Sequence, residues 1–330
     1  MVAHADQVRG RAQDDAAPAV VANRKGRRPG GGIVVAVLIV AAIIWLIPFA
    51  WAIATSLKPD AETTATPVSW TGSQITFDAY GTILDRGDIF RWYFNSALVS
   101  TVVTGLTILL GSMAAFAFSR VRFRGRNALF ALIGAGLIVP FQALIIPLFE
   151  EMDTLGLVDT YWAIILPQIA SPIAVLVYKR FFDGIPSELE ESARVDGASP
   201  WTVYWRIWMP LARPATAAVG IFTFVLTWNN FIWPFVVTTA KNLQTIPVGL
   251  STVNSFYGAQ YAQVMALAIM GALPLLIAFL IFQKQIVQGI SNTGLKGYVG
   301  DACSSCGNFT LVRNGTCLKC DTCGSTTGCS

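Results

Sequence analysis

Charge is what this sequence has least of. Only 13% of its 330 residues are Asp, Glu, Lys or Arg, about half the 25% or so of a typical soluble domain, which excludes an ordinary soluble enzyme. There is a single histidine, His4, an incidental residue of a polar N-terminal stretch rather than a ligand. No cysteine precedes Cys303, so the six cysteines form a separate C-terminal problem. A hydrophobic fraction of 54% excludes disorder and a disulfide-rich secreted domain. No glycine is followed by Lys-Ser or Lys-Thr. The phosphate-cradling loop G-x-x-x-x-G-K-[ST] is therefore missing, and the chain does not bind ATP in that way.

What is present is a set of long apolar runs. Residues 29–57, 92–119, 127–149, 160–178, 214–240 and 242–283 contain no Asp, Glu, Lys or Arg. Each matches or exceeds the roughly 20 residues that a helix needs to cross a bilayer. In lipid the backbone must satisfy its own hydrogen bonds, so these runs predict helices. They do not alternate as barrel strands would. The expected fold is an all-α polytopic membrane protein with six transmembrane helices near 32–54, 95–118, 128–149, 160–178, 215–238 and 262–283. The first is too long and too late for a cleaved signal peptide and reads as an uncleaved signal anchor.

The basic residues are sorted by side. Nineteen of the 23 Lys and Arg lie in 1–31, 119–127, 179–213 and 284–330. The positive-inside rule places those segments, and both termini, in the cytoplasm of a bacterial-type plasma (inner) membrane, multi-pass. The run Arg24-Lys25-Gly26-Arg27-Arg28 is then an orientation anchor beside the first span rather than a nucleic-acid patch. Three regions follow: a flexible cytoplasmic tail (1–31), a six-span domain (32–297) and a cytoplasmic Cys-rich tail (298–330).

The most structured inside loop is 183–214. Ser187 with Glu190 three residues on predicts a capping box, and Gly197 can end that helix at positive φ. Ser199 with Pro200 predicts the start of a second helix, and Pro210 its end. Trp201, Trp205 and Trp208 fall at i, i+4 and i+7 and so share one predicted face. A capped, aromatic-faced helical hairpin suits force transmission to a partner; an interfacial loop lying on the membrane is the plainer alternative.

This loop resembles the EAA loop of ABC importer permeases. Glu191-Ser192-Ala193, three residues, Gly197, nine residues and Ile207-Trp208-Met209-Pro210 match its spacing, with Ser192 and Met209 as departures. Over roughly 30–297 the chain is similar to carbohydrate-uptake permeases of the type of the smaller maltose-permease subunit. That likeness is carried also by Pro48-Phe-Ala-Trp-Ala-Ile-Ala-Thr-Ser-Leu-Lys58, Asn95-Ser96, Ile185-Pro-Ser-Glu-Leu189 and Thr227-Trp-Asn-Asn-Phe-Ile-Trp-Pro234. The resemblance implies the type I ABC importer (MetI-like) architecture and import of a sugar or sugar-like solute. It implies a second homologous permease subunit, two ATP-hydrolysing subunits, an extracytoplasmic solute-binding protein and no cofactor for transport. It also implies that Glu191, Ala193, Gly197, Ile207 and Pro210 dock on the ATPase, with Asp196 and Ala198 added from the turn.

Polar residues inside spans usually face a bundle interior or a cavity. Gln142, Gln168, Trp228, Asn229 and Asn230 are the substrate-path candidates, since indole stacks on sugar faces and amides pair with hydroxyls; interhelical hydrogen bonding is the competing role. The outside loop 240–261 resembles the one that reaches the binding protein, with Asn254 and Tyr257 as candidate contacts.

The tail carries two thiolate knuckles, Cys303-x2-Cys306 and Cys320-x2-Cys323, spaced to hold one Zn²⁺ in a small zinc-ribbon-like module, with Cys317 as an alternative ligand. The tail resembles the cysteine-rich end of adenosylcobalamin-dependent ribonucleotide reductases through Cys323-Gly-Ser-Thr-Thr-Gly-Cys329-Ser, without their catalytic barrel, as in a fusion joined near Gly297. Two other functions compete with the importer. An ATP-independent secondary transporter or channel predicts ionisable residues in the spans, and none is there; Pro140 and Pro167 keep broken helices open. A membrane-tethered zinc or redox module would make the tail the working part.

Overall fold

The computed structural model describes residues 31–67, 69–256 and 260–294, with three short strands between 311 and 327. The chain divides into two compact units, Met1–Ala50 and Trp51–Ser330. The described part of the first unit is α1, Gly31–Ser56, an apolar helix containing Pro48, which the unit boundary crosses.

The second unit is organised around one helix. After the short α2 (Asp78–Arg86) and a turn at Gly87, α3 runs unbroken from Asp88 to Arg120, 33 residues. At 1.5 Å per residue it is about 50 Å long, more than the ~30 Å of a bilayer's apolar core. α4 (Arg126–Ala135), α5 (Phe141–Thr154), α6 (Tyr161–Ile169) and α7 (Pro172–Asp183) follow. Next come α8 (Glu188–Val195), α9 (Pro200–Val203), a π-helical turn at Tyr204–Trp208 and α10 (Met209–Leu211). The chain ends its helical part with α11 (Arg213–Trp228), α12 (Ile232–Val237), α13 (Ile246–Phe256) and α14 (Tyr261–Gly294).

Helices α6, α7 and α11 pack along α3, and small residues let them approach. A Cβ on Gly111 would stand 3.1 Å from the Cβ of Ala174 in α7, and Ala115 one turn on is fully buried. Three buried clusters line α3 in turn. Ile89 and Trp92 join Trp228, Ile246 and Ala266; Val99 and Val103 join Ile164 and Trp233; Ala115 and Phe118 join Tyr178, Phe182 and Trp208.

Six continuous spans are not what the chain forms. Among the described residues, three helices are long and apolar enough to cross a membrane, Gly32–Ser56, Asp88–Arg120 and Tyr261–Ile281. Two bent pairs raise the number to five: Tyr161–Ile169 with Pro172–Asp183 at 42°, and Pro200–Leu211 with Arg213–Trp228 at 76°. The expected span 128–149 is split into α4 and α5. Leu137 and Ile138 donate only three residues back, to Gly134 and Ala135, and Pro140 disfavours a helical residue before it. The expected span 160–178 bends where Ser171 caps α7 and Pro172 supplies no N–H. The expected span 215–238 is interrupted at 229–231. Absence of charge reports an apolar environment and says nothing of these breaks.

Beyond the helical part the tail carries three short strands. β1 (Leu311–Asn314) pairs antiparallel with β2 (Cys317–Cys320), which pairs antiparallel with β3 (Thr326–Thr327). Cys303, Cys306 and Cys323 lie outside the described residues, while Cys317 and Cys320 begin and end β2. Among the described residues no group of three or more His, Cys, Asp or Glu could hold a metal.

Candidate functional site: the 183–214 loop

The loop begins where α7 ends. Ser187 does not cap α8 with its side chain, because it sits in the helical region itself; only its carbonyl is used, by the N–H groups of Glu190 and Glu191. The Glu190 that the capping box would have employed is buried and paired with Arg194 at 2.6 Å. The far end of α8 forms as expected. Gly197 adopts φ +79°, its N–H donates to the Arg194 carbonyl, and the Ala198 N–H reaches back to the Ala193 carbonyl at 2.9 Å. This is the Schellman arrangement, in which a left-handed residue lets the last carbonyls be satisfied.

Ser199 caps α9, accepting the Thr202 N–H at 3.2 Å, with Pro200 at the first helical position. From there the structure departs from expectation. Tyr204–Trp208 is a π turn, and the chain stays helical through Pro210 to Leu211 before turning by 76° into α11. Proline removes one donor and crowds the preceding turn, and the wider i→i+5 turn accommodates both effects. It also under-rotates the chain, so the three tryptophans do not share a face. Trp201 and Trp205 are exposed in edge contact with each other, whereas Trp208 is fully buried. The Trp208 ring meets Phe182 and Phe116 edge-on.

A residue counted only as an orientation marker, Arg120, holds this loop to the bundle. Its guanidinium donates to the carbonyls of Phe182 and Ile185, both at 2.7 Å, and lies 4.1 Å from the centre of the Trp208 ring. Beside it Ser119 donates to Asp183, which also pairs with Lys179. Of the docking candidates, Ala193, Ala198 and Ile207 are half-buried against this core, while Glu191, Asp196, Gly197 and Pro210 are exposed. Among them stand bare apolar side chains: Val195 is 88% exposed, Trp201 57% and Leu211 43%.

The path candidates separate into two groups. Gln168 accepts from Asn230 at 2.8 Å and donates to its own helix at Ile164; Trp228 is buried, stacked on Phe224. Gln142 and Asn229 are on the uncovered surface of the chain.

At the Asp88 end of α3 a second set of contacts escaped sequence reasoning. Asn95, fully buried, donates to the carbonyls of Asn242 and Gln244 and accepts from the Tyr161 hydroxyl at 2.7 Å; Ser96 accepts the Ile246 N–H. Asp159, at φ +60°, accepts from the Thr239 N–H and hydroxyl and from the Ala240 N–H. Those bonds, from the Thr239 hydroxyl first, hold its carboxyl below the usual aspartate range. The stretch leading to α13 is thus tied to the bundle at both edges. The available signal was a polar Asn-Ser pair opening an apolar run. Asn254 lies in α13, and Tyr257 lies outside the described residues.

Residues 107–292, more than half of the chain and including the whole 183–214 loop, match the family described as binding-protein-dependent transport system inner membrane component. The chain belongs to this family. The permease is 35% identical over 259 residues to the arabinooligosaccharides transport system permease protein AraQ of Bacillus subtilis, covering 78% of this chain and 92% of the relative. To the lactose transport system permease protein LacG of Rhizobium radiobacter it is 34% identical, covering 77% and 92%. To the trehalose transport system permease protein SugB of Mycobacterium tuberculosis it is 35% identical, covering 76% and 93%. A solved bacterial ABC transporter that imports the acidic polysaccharide alginate superposes with a TM-score of 0.69 at 27% identity, over 77% of the permease and 95% of that chain. These relatives are transport permease subunits, so the permease is a membrane component rather than an enzyme. The family match ends at Ser291-Asn292 and does not support the ribonucleotide-reductase likeness of the tail.

Proposed function

We propose that this permease is one of two membrane subunits of an ATP-driven importer for a sugar or sugar-like solute. The second subunit is a homologous permease, the solute arrives on an extracytoplasmic binding protein, and one of two ATPase subunits grips the 183–214 loop. The observation that carries the coupling role is the loop's double character. Arg120 and Trp208 fix it to the bundle, yet Val195, Trp201, Trp205 and Leu211 remain bare. A rigid turn with an uncovered apolar patch is a surface built to be covered by protein, and Glu191, Asp196, Gly197 and Pro210 are its polar and shape-giving members.

The positive-inside distribution puts this loop and both termini in the cytoplasm, where an ATPase can reach it. Saccharide names recur among the relatives, which favours that cargo class. Gln142 and Asn229 are the residues to line the pathway, since an exposed amide in an apolar band is stable only against water, solute or a partner helix. The loop 240–261 then faces the binding protein from the Asp88 end.

The test is reconstitution of the permease with its co-expressed neighbours. ATP hydrolysis should rise when binding protein and the matching saccharide are added together. Gly197→Asp should leave assembly intact while uncoupling hydrolysis from uptake. Unchanged uptake in that variant would overturn the coupling role of the loop, and purification without any ATPase subunit would overturn the importer reading.

A further inference from the structure

We propose that the turn joining α3 to α4 is a binding site for the phosphate headgroup of an anionic phospholipid, in the leaflet at the Arg120 end of the bundle. Arg122, Arg124 and Arg126 crowd this turn with Phe123 among them. Arg120 is already committed to two carbonyls and to Trp208. The side chains of the other three make no hydrogen bond or ion pair with any described residue.

Arg122 and Arg126 open onto a cavity of about 760 Å³ between the end of α3 and the coupling loop, while Arg124 stands exposed on the turn outside it. Its charged lining is Arg120, Arg122, Arg126 and Arg194 against Glu190 and Glu191. Glu190 is neutralised by Arg194 at 2.6 Å, which leaves an excess of free guanidinium over free carboxylate. A second hollow of about 410 Å³ adjoins it, lined by Arg122, Phe123 and Arg126. Guanidinium forks match phosphate oxygens in pairs.

Apolar surface continues directly from the arginines. Val121, Phe123, Leu129 and Leu132 are all exposed, Leu132 at 68%. A free phosphate would neutralise the arginines and leave this shoulder in contact with nothing. An acidic protein surface would meet the same mismatch. A phospholipid satisfies both halves at once, with phosphate on the turn and acyl chains along α4. Basic clusters at the edge of a membrane span recognise anionic headgroups on this basis. The inference stands on the geometry of the turn; the cavity shares Glu191 with the face proposed for the ATPase.

The experiment uses the purified full-length chain, incubated with phosphatidylglycerol or with phosphatidylcholine and examined by native mass spectrometry. Wild type should retain phosphatidylglycerol about fivefold or more over phosphatidylcholine. The triple variant Arg122→Gln/Arg124→Gln/Arg126→Gln should lose that preference while unfolding at the wild-type temperature, since none of the three side chains has a partner to lose among the described residues. A comparator, Arg24→Gln/Arg27→Gln/Arg28→Gln, removes as much positive charge elsewhere and should keep the preference.

Equal retention of the two lipids by wild type overturns the proposal, as does equal loss in both triple variants, which would mean bulk charge alone. If inorganic phosphate displaces the lipid and Phe123→Ser/Leu129→Ser leaves retention unchanged, the site is one for a free anion and the proposal fails. If the arginine variant keeps its lipid preference but sheds co-purifying subunits, the turn belongs to a protein interface, and the proposal fails equally.

Discussion

Replacing Arg120 by Met keeps most of the side-chain volume and removes the charge and all five donors. Two charge-assisted hydrogen bonds to carbonyls are lost, each worth about 1.5–3 kcal/mol, with a cation–π contact of about 0.5–2 kcal/mol. These terms share one side chain and do not add fully, so the expected net loss is about 3 kcal/mol. The carbonyls of Phe182 and Ile185 are left without this donor where α7 enters the loop. Arg120→Lys keeps the charge but loses the planar guanidinium that reaches both carbonyls through one nitrogen and lies on the Trp208 ring, and should recover about half or less of the loss. Thermal unfolding of the purified chain in detergent, followed by tryptophan fluorescence, measures both variants; Trp208 lies under the guanidinium and reports the same event. Wild-type unfolding temperature and unchanged Trp emission in Arg120→Met would refute the view that this residue holds the loop. Equal behaviour of the Lys and Met variants would refute a contribution from the charge itself.

Other outcomes can be checked in the same preparation. Gly249→Ala places a Cβ 2.3 Å from the Trp92 ring and should destabilise by about 1–3 kcal/mol, whereas Gly105→Ala, with nothing within 4 Å, should be neutral or stabilising by up to about 1 kcal/mol; equal melting temperatures would contradict the packing. Asn95→Leu leaves two carbonyls and the Tyr161 hydroxyl without their partner and should cost about 2 kcal/mol or more, with faster hydrogen exchange in 241–246. Asp159 has a folded pKa below its ordinary 3.8, so its contribution is present above that value and is lost as pH falls through the lowered one. Acid unfolding of Asp159→Asn should therefore be flatter than wild type below about pH 4, and superimposable curves would dismiss the clamp.

Much of the architecture was legible. Long apolar runs located α1, α3 and α14, because a helix must be long and apolar to cross lipid, and both properties are local. The breaks were harder to place. Pro140 and Pro172 act on one peptide each, and a window averaged over twenty residues hides them. In the loop, Gly197 and Ser199 behaved as their local chemistry dictates, since their partners lie within five residues. Ser187 and Trp208 did not. An ion pair with the exposed Arg194 claimed the buried Glu190, and a π turn that no spacing rule anticipates carried Trp208 into the core. Arg120 and Asn95 were invisible as contacts for a different reason. Their partners lie about 60 and 150 residues away in sequence, and only packing brings them together.

The bend at Ala212 has a mechanical consequence. Ala212 is fully buried, and the chain turns by 76° there between the end of the loop and α11. A fixed point with a rigid arm on each side is a lever. The sixteen residues of α11 make an arm of about 24 Å. Tilting the loop by about 10° on this fulcrum would sweep the Trp228 end through about 4 Å, a distance on the scale of one sugar ring, and Asn229 rides on the tip.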